Sequence, residues 1–364
     1  MRSGLAVGAT LVVLGATWGV LAQDSLHDDL QSLVDEARAD IDVPALGAMR
    51  VDAEGQMMAA VSGVRVVGGD DQVTENDLWH IGSITKSFTG TLVARLIERG
   101  VVSWDDTVGE LLGDHVPEMR EEYAQVTFAH LLSHRSGMQA NIPIARFGEF
   151  GLHPEDIMEE RLRWAEMALG QEPAGPMEET FVYSNNGYIV AGAMLEAATG
   201  RSWEELMRAE VFVALGLESA GFGGPGEDQP RGHVAGEDGD TAMAPDSDNP
   251  AALGPAGTIH MTLADMARYL RAHATRDEGF LSGESYERLC AAPFGGQYAL
   301  GWLVVGEDAR WHNGSNTMWY AEAVFSFEDG SVGAVVMNDG DLQRNPPMSR
   351  ELLGKVMRLG EEEE

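Results

Sequence analysis

Two apolar segments near the N-terminus limit the folds open to this chain. "ALGAMRVD" (45–52) and "QMMAAVSGVRV" (56–66) read as strands, and Ala53-Glu54-Gly55 between them reads as a hairpin turn. An isolated hairpin is marginal in water, so these strands need partners. Partners occur only at the far end of the 364-residue chain, as "QYALGWLVV", "TMWYAEAVFSF" and "SVGAVVMND", the last two joined by the turn signal Asp329-Gly330. Between the two ends the pattern is helical. The spacing predicts a helix in "SITKSFTGTLVARLIERG", with Ile84, Phe88, Leu92 and Leu96 on one stripe and Gly100 as its stop, and further helices in "NGYIVAGAMLEAATG" and "SWEELMRAEVFVAL". "TLADMARYLRAHA" adds another, and "DSLHDDLQSLVDEARAD" places Leu26, Leu30, Leu33, Val34 and Ala37 on one face. The expected fold class is α+β: one antiparallel sheet, built from both chain ends and flanked by helices, with a mostly helical region inserted. The corresponding boundaries are 23–85 and 250–360 for the sheet part and 86–249 for the helical part with its loops.

Residues 1–22 read as an export leader. Arg2 supplies the positive start, "LAVGATLVVLGATWGVL" the apolar core, and Val20-Leu21-Ala22 a small-residue cleavage site. The alternative is a retained anchor, for which the apolar stretch is borderline in length. The expected location is periplasmic or secreted, with no stable membrane association once the leader is cleaved. Cys290 stands alone, which excludes an intramolecular disulfide and a cysteine-cage zinc site. With 24 basic and 59 acidic residues, the formal net charge of -35 disfavours nucleic acid and anionic lipid as partners. The Gly-, Pro- and Asp-rich stretch 223–250 reads as solvated loop, its carboxylates lacking the spacing of a calcium loop.

Lysine has almost vanished from this sequence, leaving only Lys86 and Lys355. Lys86 follows Ser83 by three positions at a helix start, so the two side chains share a face one turn apart. A serine hydroxyl becomes a nucleophile when a neighbour takes its proton, and a desolvated lysine can do so where arginine cannot. Alone, the pair is equally a capping serine beside a surface lysine. "FVYSNNGY" adds Tyr183 and Asn185, two apart in an extended segment and so facing the same way, before a helix capped by Asn185 or Asn186. "RWHNGSN" adds His312-Asn313-Gly314 leading into the C-terminal strand pair, where the glycine permits close backbone approach. His130 and His134 in "HLLSH" are four apart, but no zincin glutamate follows. The Gly-x-Ser-x-Gly elbow and a phosphate-cradling glycine loop are also missing from the sequence.

In this order, Ser83-x-x-Lys86, Tyr183-x-Asn185 and His312-Asn313-Gly314 resemble the motifs of the class C β-lactamase and penicillin-binding DD-peptidase family of serine hydrolases. "VTFAHLLSHRSGM" and "GPAGTIHMTLADMARYL" share the likeness, which runs from about residue 24 to 355. The resemblance implies a Ser83 acyl-enzyme, with Lys86 taking or relaying the proton and Tyr183 shuttling it to the leaving group. Which of Lys86 and Tyr183 is the acylation base stays open. It further implies that Asn185 binds the substrate amide and that the N–H groups of Ser83 and Ser315, the latter just after Gly314, form the oxyanion hole. His312 would meet a substrate carboxylate or stabilise the leaving group. No cofactor and no metal are implied; the partner is a small-molecule or peptide substrate. The usual third motif of the β-lactamases is Lys-Thr-Gly, so the histidine here removes a permanent cation, and an unperturbed His312 would be charged only below about pH 6.5. Esters or D-configured peptides are therefore expected ahead of β-lactams. A non-catalytic peptide binder is the competing reading.

Overall fold

The computed structural model describes residues 10–237 and 239–360, and of residues 10–24 the backbone only. Strands β1 (Ala45–Val51) and β2 (Met57–Gly63) form the N-terminal hairpin. Strands β8 (Leu303–Val305), β9 (Ala309–Ser315), β10 (Tyr320–Ser326) and β11 (Val332–Met337) complete one sheet in the order β2-β1-β11-β10-β9-β8. The two chain ends meet where β1 pairs antiparallel with β11, Leu46 opposite Met337 and Val51 opposite Val332. The hairpin therefore finds the partners that its marginal stability demands.

Period-two alternation divides the sheet's faces. Leu46, Ala48, Met58, Ala60, Val335 and Met337 pack with Leu30 and Val34 of α1 (Thr10–Ile41) and with Leu352, Leu353 and Val356 of α12 (Asn345–Met357). The opposite face, with Met49, Ala323, Phe325, Ala334 and Val336, lies under α10 (Leu263–Ala274). Of the expected leader, residues 1–9 lie outside the described residues. No helix among the described residues is long and apolar enough to cross a membrane.

The inserted region is built on α2 (Thr85–Glu98), whose stripe Ile84, Phe88, Leu92 and Leu96 is buried and which ends before Gly100 at φ +69°. Helices α3 (Val108–Leu112), α4 (Phe128–Leu132), α5 (Ile157–Gly170), α6 (Asn185–Thr199), α7 (Trp203–Met207) and α8 (Val213–Leu215) follow it, and α9 (Gly254–Gly257) and α11 (Gly283–Cys290) join from the later stretch of the chain. Of these, α4, α6, α7, α9 and α11 pack directly on α2. Two small sheets tie the loops: β3 (Trp79–His80), β7 (Ile259–Met261) and β4 (Gly221–Phe222) in the order β3-β7-β4, and β5 (His233–Val234) with β6 (Thr241–Ala242). The helix predicted over "SWEELMRAEVFVAL" is broken by a π-helical turn, Arg208–Phe212, between α7 and α8.

Two strand expectations change. Of "QYALGWLVV", only Leu303–Val305 is strand. The chain before it folds against α2, where a Cβ on Gly301 would stand 2.6 Å from the Ser87 Cα and one on Gly90 2.3 Å from the Leu300 carbonyl oxygen. Conversely, His312-Asn313-Gly314 does not precede the strands but lies within β9. Because β8 pairs only with residues 309–311, the stretch 312–315 has an open side, and the turn Gly82–Ile84 fills it.

Arg161 locks the helical region to the segment before α9. It is fully buried, pairs with Glu196 and Glu204, and donates to the carbonyls of Ala251 and Ala252. Removing one partner of such a cluster strands the remaining charge in a low-dielectric interior. Arg161→Met should lower unfolding free energy by about 3–5 kcal/mol in urea titration. A change below about 1 kcal/mol would mean that the cluster is not an integral brace.

Candidate active site

The turn that presents Ser83 is shaped by glycine. Gly82 has φ +51°, and a Cβ there would stand 2.4 Å from the Ser315 nitrogen and 2.6 Å from the Gly314 carbonyl carbon. A Cβ on Gly314 would stand 2.0 Å from the Ile81 carbonyl oxygen and 2.5 Å from the Ser83 nitrogen. Neither position can carry a side chain, so the 3-10 turn Gly82–Ile84 and the end of β9 lie backbone against backbone. This contact brings the backbone around the Ser83 nitrogen up against the backbone around the Ser315 nitrogen.

Lys86 sits one helical turn beyond Ser83 and is fully buried. Its Nζ lies 3.0 Å from the Ser83 Oγ and donates to the Ala256 carbonyl at 2.8 Å. Among the described residues, no carboxylate forms an ion pair with it. Instead Nζ stands 4.8 Å from the centre of the Tyr183 ring and 5.6 Å from that of Tyr188. Burial pushes the Lys86 amine well below its ordinary value of 10.5, which favours the neutral base with a lone pair free for a hydroxyl proton. Ala256, in the Gly-Pro-Ala-Gly turn α9, escaped the sequence reading because its contribution is a backbone carbonyl.

Tyr183 arrives from the extended segment before α6, and its hydroxyl faces Ser83. The residue is 38% exposed, yet its ring packs 4.3 Å from that of His134, and burial of the hydroxyl end raises the phenol above 10. The resting phenol is thus an acid with its proton in place. The cap of α6 is Ser184, whose Oγ accepts from the Gly187 N–H at 3.1 Å, and not Asn185 or Asn186. Asn185 stands two residues beyond Tyr183 and donates from Nδ2 to the Asn141 Oδ1 at 2.9 Å. Asn186 is buried and accepts from the Trp164 indole.

His312 is brought to the same cluster but is 1% exposed, with both ring nitrogens engaged. Nδ1 donates to the Asn313 carbonyl at 2.5 Å, and Nε2 accepts from the Tyr298 hydroxyl at 2.8 Å. Burial, reinforced by the neighbouring Lys86, pushes its pKa down to about 3. The ring is therefore neutral through the physiological range, burial having moved it away from the 6.5 of an unperturbed imidazole. Tyr298 carried no signal, being read as part of a strand. His134 was visible only as half of a histidine pair. At φ +61° its Nδ1 accepts from the Ser184 N–H at 2.9 Å, while His130 Nε2 faces Glu178, so the two rings serve different neighbours.

A family model described as Beta-lactamase matches residues 30–354. Penicillin-binding protein 4 of Amycolatopsis lactamdurans is 30% identical over 253 residues, 68% of this chain and 64% of that protein. An unguisins hydrolase of Aspergillus campestris is 25% identical over 267 residues, 66% of this chain and 49% of that protein. The chain thus spans less than two thirds of either relative. Among solved structures, the octameric penicillin-binding protein homologue from Pyrococcus abyssi has a TM-score of 0.74 at 24% identity, over 91% of this chain and 76% of its own. That likeness is one of fold.

The buried histidine has a measurable consequence. An unfolded histidine takes a proton below about pH 6.5 whereas folded His312 does so only near 3, so its contribution to stability is present above 6.5 and is lost as pH falls between these values. The limiting slope is about 1.4 kcal/mol per pH unit. Nitrogen-15 spectra should show the His312 ring neutral from pH 8 to pH 4; an imidazolium signal by pH 6 would contradict the assignment.

Proposed function

The chain belongs to the Beta-lactamase family, and from that premise we propose that it is a serine hydrolase which opens amide or ester bonds through an acyl-enzyme on Ser83. The observation that carries this reading is the 3.0 Å contact between the Ser83 hydroxyl and an amine whose burial favours the neutral form. Lys86 takes the hydroxyl proton as Oγ attacks the substrate carbonyl carbon. The negative oxygen that develops is met by the N–H groups of Ser83 and Ser315, which the Gly82–Gly314 contact brings together. As the tetrahedral intermediate collapses, the Tyr183 hydroxyl gives its proton to the departing nitrogen or oxygen and is restored from the Lys86 ammonium. A water then loses a proton to the same pair and attacks the acyl carbon; as this second intermediate collapses, the acyl–Oγ bond breaks, the pair gives the proton to Oγ, and the product acid leaves with Ser83 in its resting state. The opposed shifts of amine and phenol favour Lys86 as the acylation base and Tyr183 as the acid.

Substrate preference follows from charge. With His312 neutral and turned to Tyr298, and with Lys86 favouring the neutral amine, the third motif offers no cation to a substrate carboxylate. This supports esters and D-configured amides with an uncharged leaving side ahead of β-lactams and free C-terminal carboxylates. Asn185, anchored on Asn141, is assigned to the substrate amide. Export to the periplasm or medium belongs to the proposal through the leader-like residues 1–22.

Wild type should turn over a p-nitrophenyl ester with kcat/KM at least about tenfold above that for a chromogenic cephalosporin. Ser83→Ala should reduce both rates by about 1,000-fold or more. A mass increase equal to the acyl group should appear on Ser83 and be missing from the variant. Absence of turnover on esters, D-amino-acid amides and lactams, with no adduct, would favour the non-catalytic binder.

A further inference from the structure

One carboxylate of the long loop 223–250 does not face solvent, contrary to the reading of that loop as solvated surface. The Asp248 side chain is 2% exposed and joins two segments distant in sequence. On one side, its Oδ2 lies 3.1 Å from the His80 Nε2. The His80 Nδ1 accepts from the Gly82 N–H at 3.1 Å, which fixes the ring's remaining proton on Nε2, where it is donated to Asp248. On the other side, Asp248 Oδ1 accepts from the Asn316 Nδ2 at 2.8 Å, and the Asn316 Oδ1 accepts from the N–H groups of Met318 and Trp319. The neighbouring Asn249 donates from Nδ2 to the Gly257 carbonyl at 3.1 Å, beside the Ala256 carbonyl that receives Lys86.

Each arm ends one residue from an N–H assigned to the oxyanion hole: Gly82 precedes Ser83, and Asn316 follows Ser315. The Gly82–Gly314 contact limits how close the turn and the strand end can come. It does nothing to keep them from separating, and no strand pairing holds residues 312–315 on that side. We infer that Asp248, acting through His80 and Asn316, is a positioning residue that holds the two oxyanion-hole N–H groups at their working separation. This assignment rests on the Ser83 acyl-enzyme reading. Asp248 acts under tension where the glycines act under compression, and the two together define one distance. Misplacing reacting groups by about 1 Å can cost on the order of 100-fold in rate, so a loosened brace should register in catalysis before it registers in substrate binding.

Asp248→Asn keeps size but turns an amide donor either toward His80 or toward Asn316 and the Asn249 N–H, so one arm is lost. The full chain carrying it should hydrolyse a p-nitrophenyl ester with kcat reduced about 10- to 100-fold and KM within about twofold. Affinity for phenylboronic acid, whose tetrahedral adduct places a negative oxygen in the hole, should fall by a similar factor. His80→Gln, whose Nε2 can still reach Asp248 but which has a methylene in place of the Nδ1 acceptor, should show the same split. The inference is overturned if folded Asp248→Asn keeps both kcat and boronate affinity, or if burst titration shows fewer active sites of unchanged rate, as a purely structural role would give. Should Asp248→Asn fail to fold, Asn316→Asp replaces it: it retains the acceptor for Met318 and Trp319 while opposing Asp248 with a like charge, and an unchanged kcat there overturns the inference equally. Silence of the wild type on every ester, without a Ser83 adduct, would instead remove the hydrolase reading itself and this inference with it.

Discussion

The rest of the site depends on a lysine amine taken out of water with no carboxylate paired to it among the described residues. Charged, such a group would face a desolvation penalty of several kcal/mol. The interior answers with a carbonyl from Ala256, two aromatic rings and the Ser83 hydroxyl, none of which carries the formal negative charge that would hold a proton there against the loss of hydration. The arrangement opposes stability. Below 10.5 the unfolded chain binds a proton at Lys86 that the folded chain holds less readily, so folding is weakened as pH falls from 10.5 toward the lowered folded value. A group that costs stability across the working range and yet occupies the centre of the molecule is better explained by chemistry than by packing.

The architecture around it separates two tasks. Helix α2 is buried over most of its circumference and carries Lys86, with Ser83 on the 3-10 turn that leads into it. The sheet supplies the other half of the site from a remote stretch of chain, at the one place where β9 outruns β8 and leaves its side open. A strand end meeting a helix start needs both backbones bare, which is what Gly82 and Gly314 provide. The acidic surface, with its net charge of -35, bears on solubility and partner choice; the first-order control of Lys86 is local burial.

How much of this could be read from the sequence follows the range of the forces involved. The hairpin, the α2 stripe, α10 and the Asp329-Gly330 turn announce themselves by local periodicity and turn chemistry. The shared sheet follows from a single argument about an unpartnered hairpin. Spacing alone leaves Ser83 and Lys86 equally a capping serine beside a surface lysine; that they belong with Tyr183 comes from the family resemblance of the three motifs taken together. What escaped depends on contacts between distant segments. The strand over 297–302 is lost because Gly301 and Leu300 are pressed onto α2. The neutrality of His312 needs Tyr298 and full burial, neither of which the triplet His-Asn-Gly encodes. Ala256 contributes a carbonyl, and Asp248 lies in a stretch whose composition resembles solvated loop.

The scarcity of lysine makes the central claim directly measurable. Protein labelled with nitrogen-15 at lysine Nζ has two side-chain signals to assign, from Lys86 and Lys355. Lys355 is half exposed and pairs with Glu351 at 2.8 Å, which raises it above 10.5. One signal should therefore titrate above 10.5, while the other, removed by Lys86→Arg, should titrate well below it. If both signals remain those of ammonium groups up to pH 10, Lys86 is charged in the resting protein and the proton path from Ser83 proposed for it is wrong.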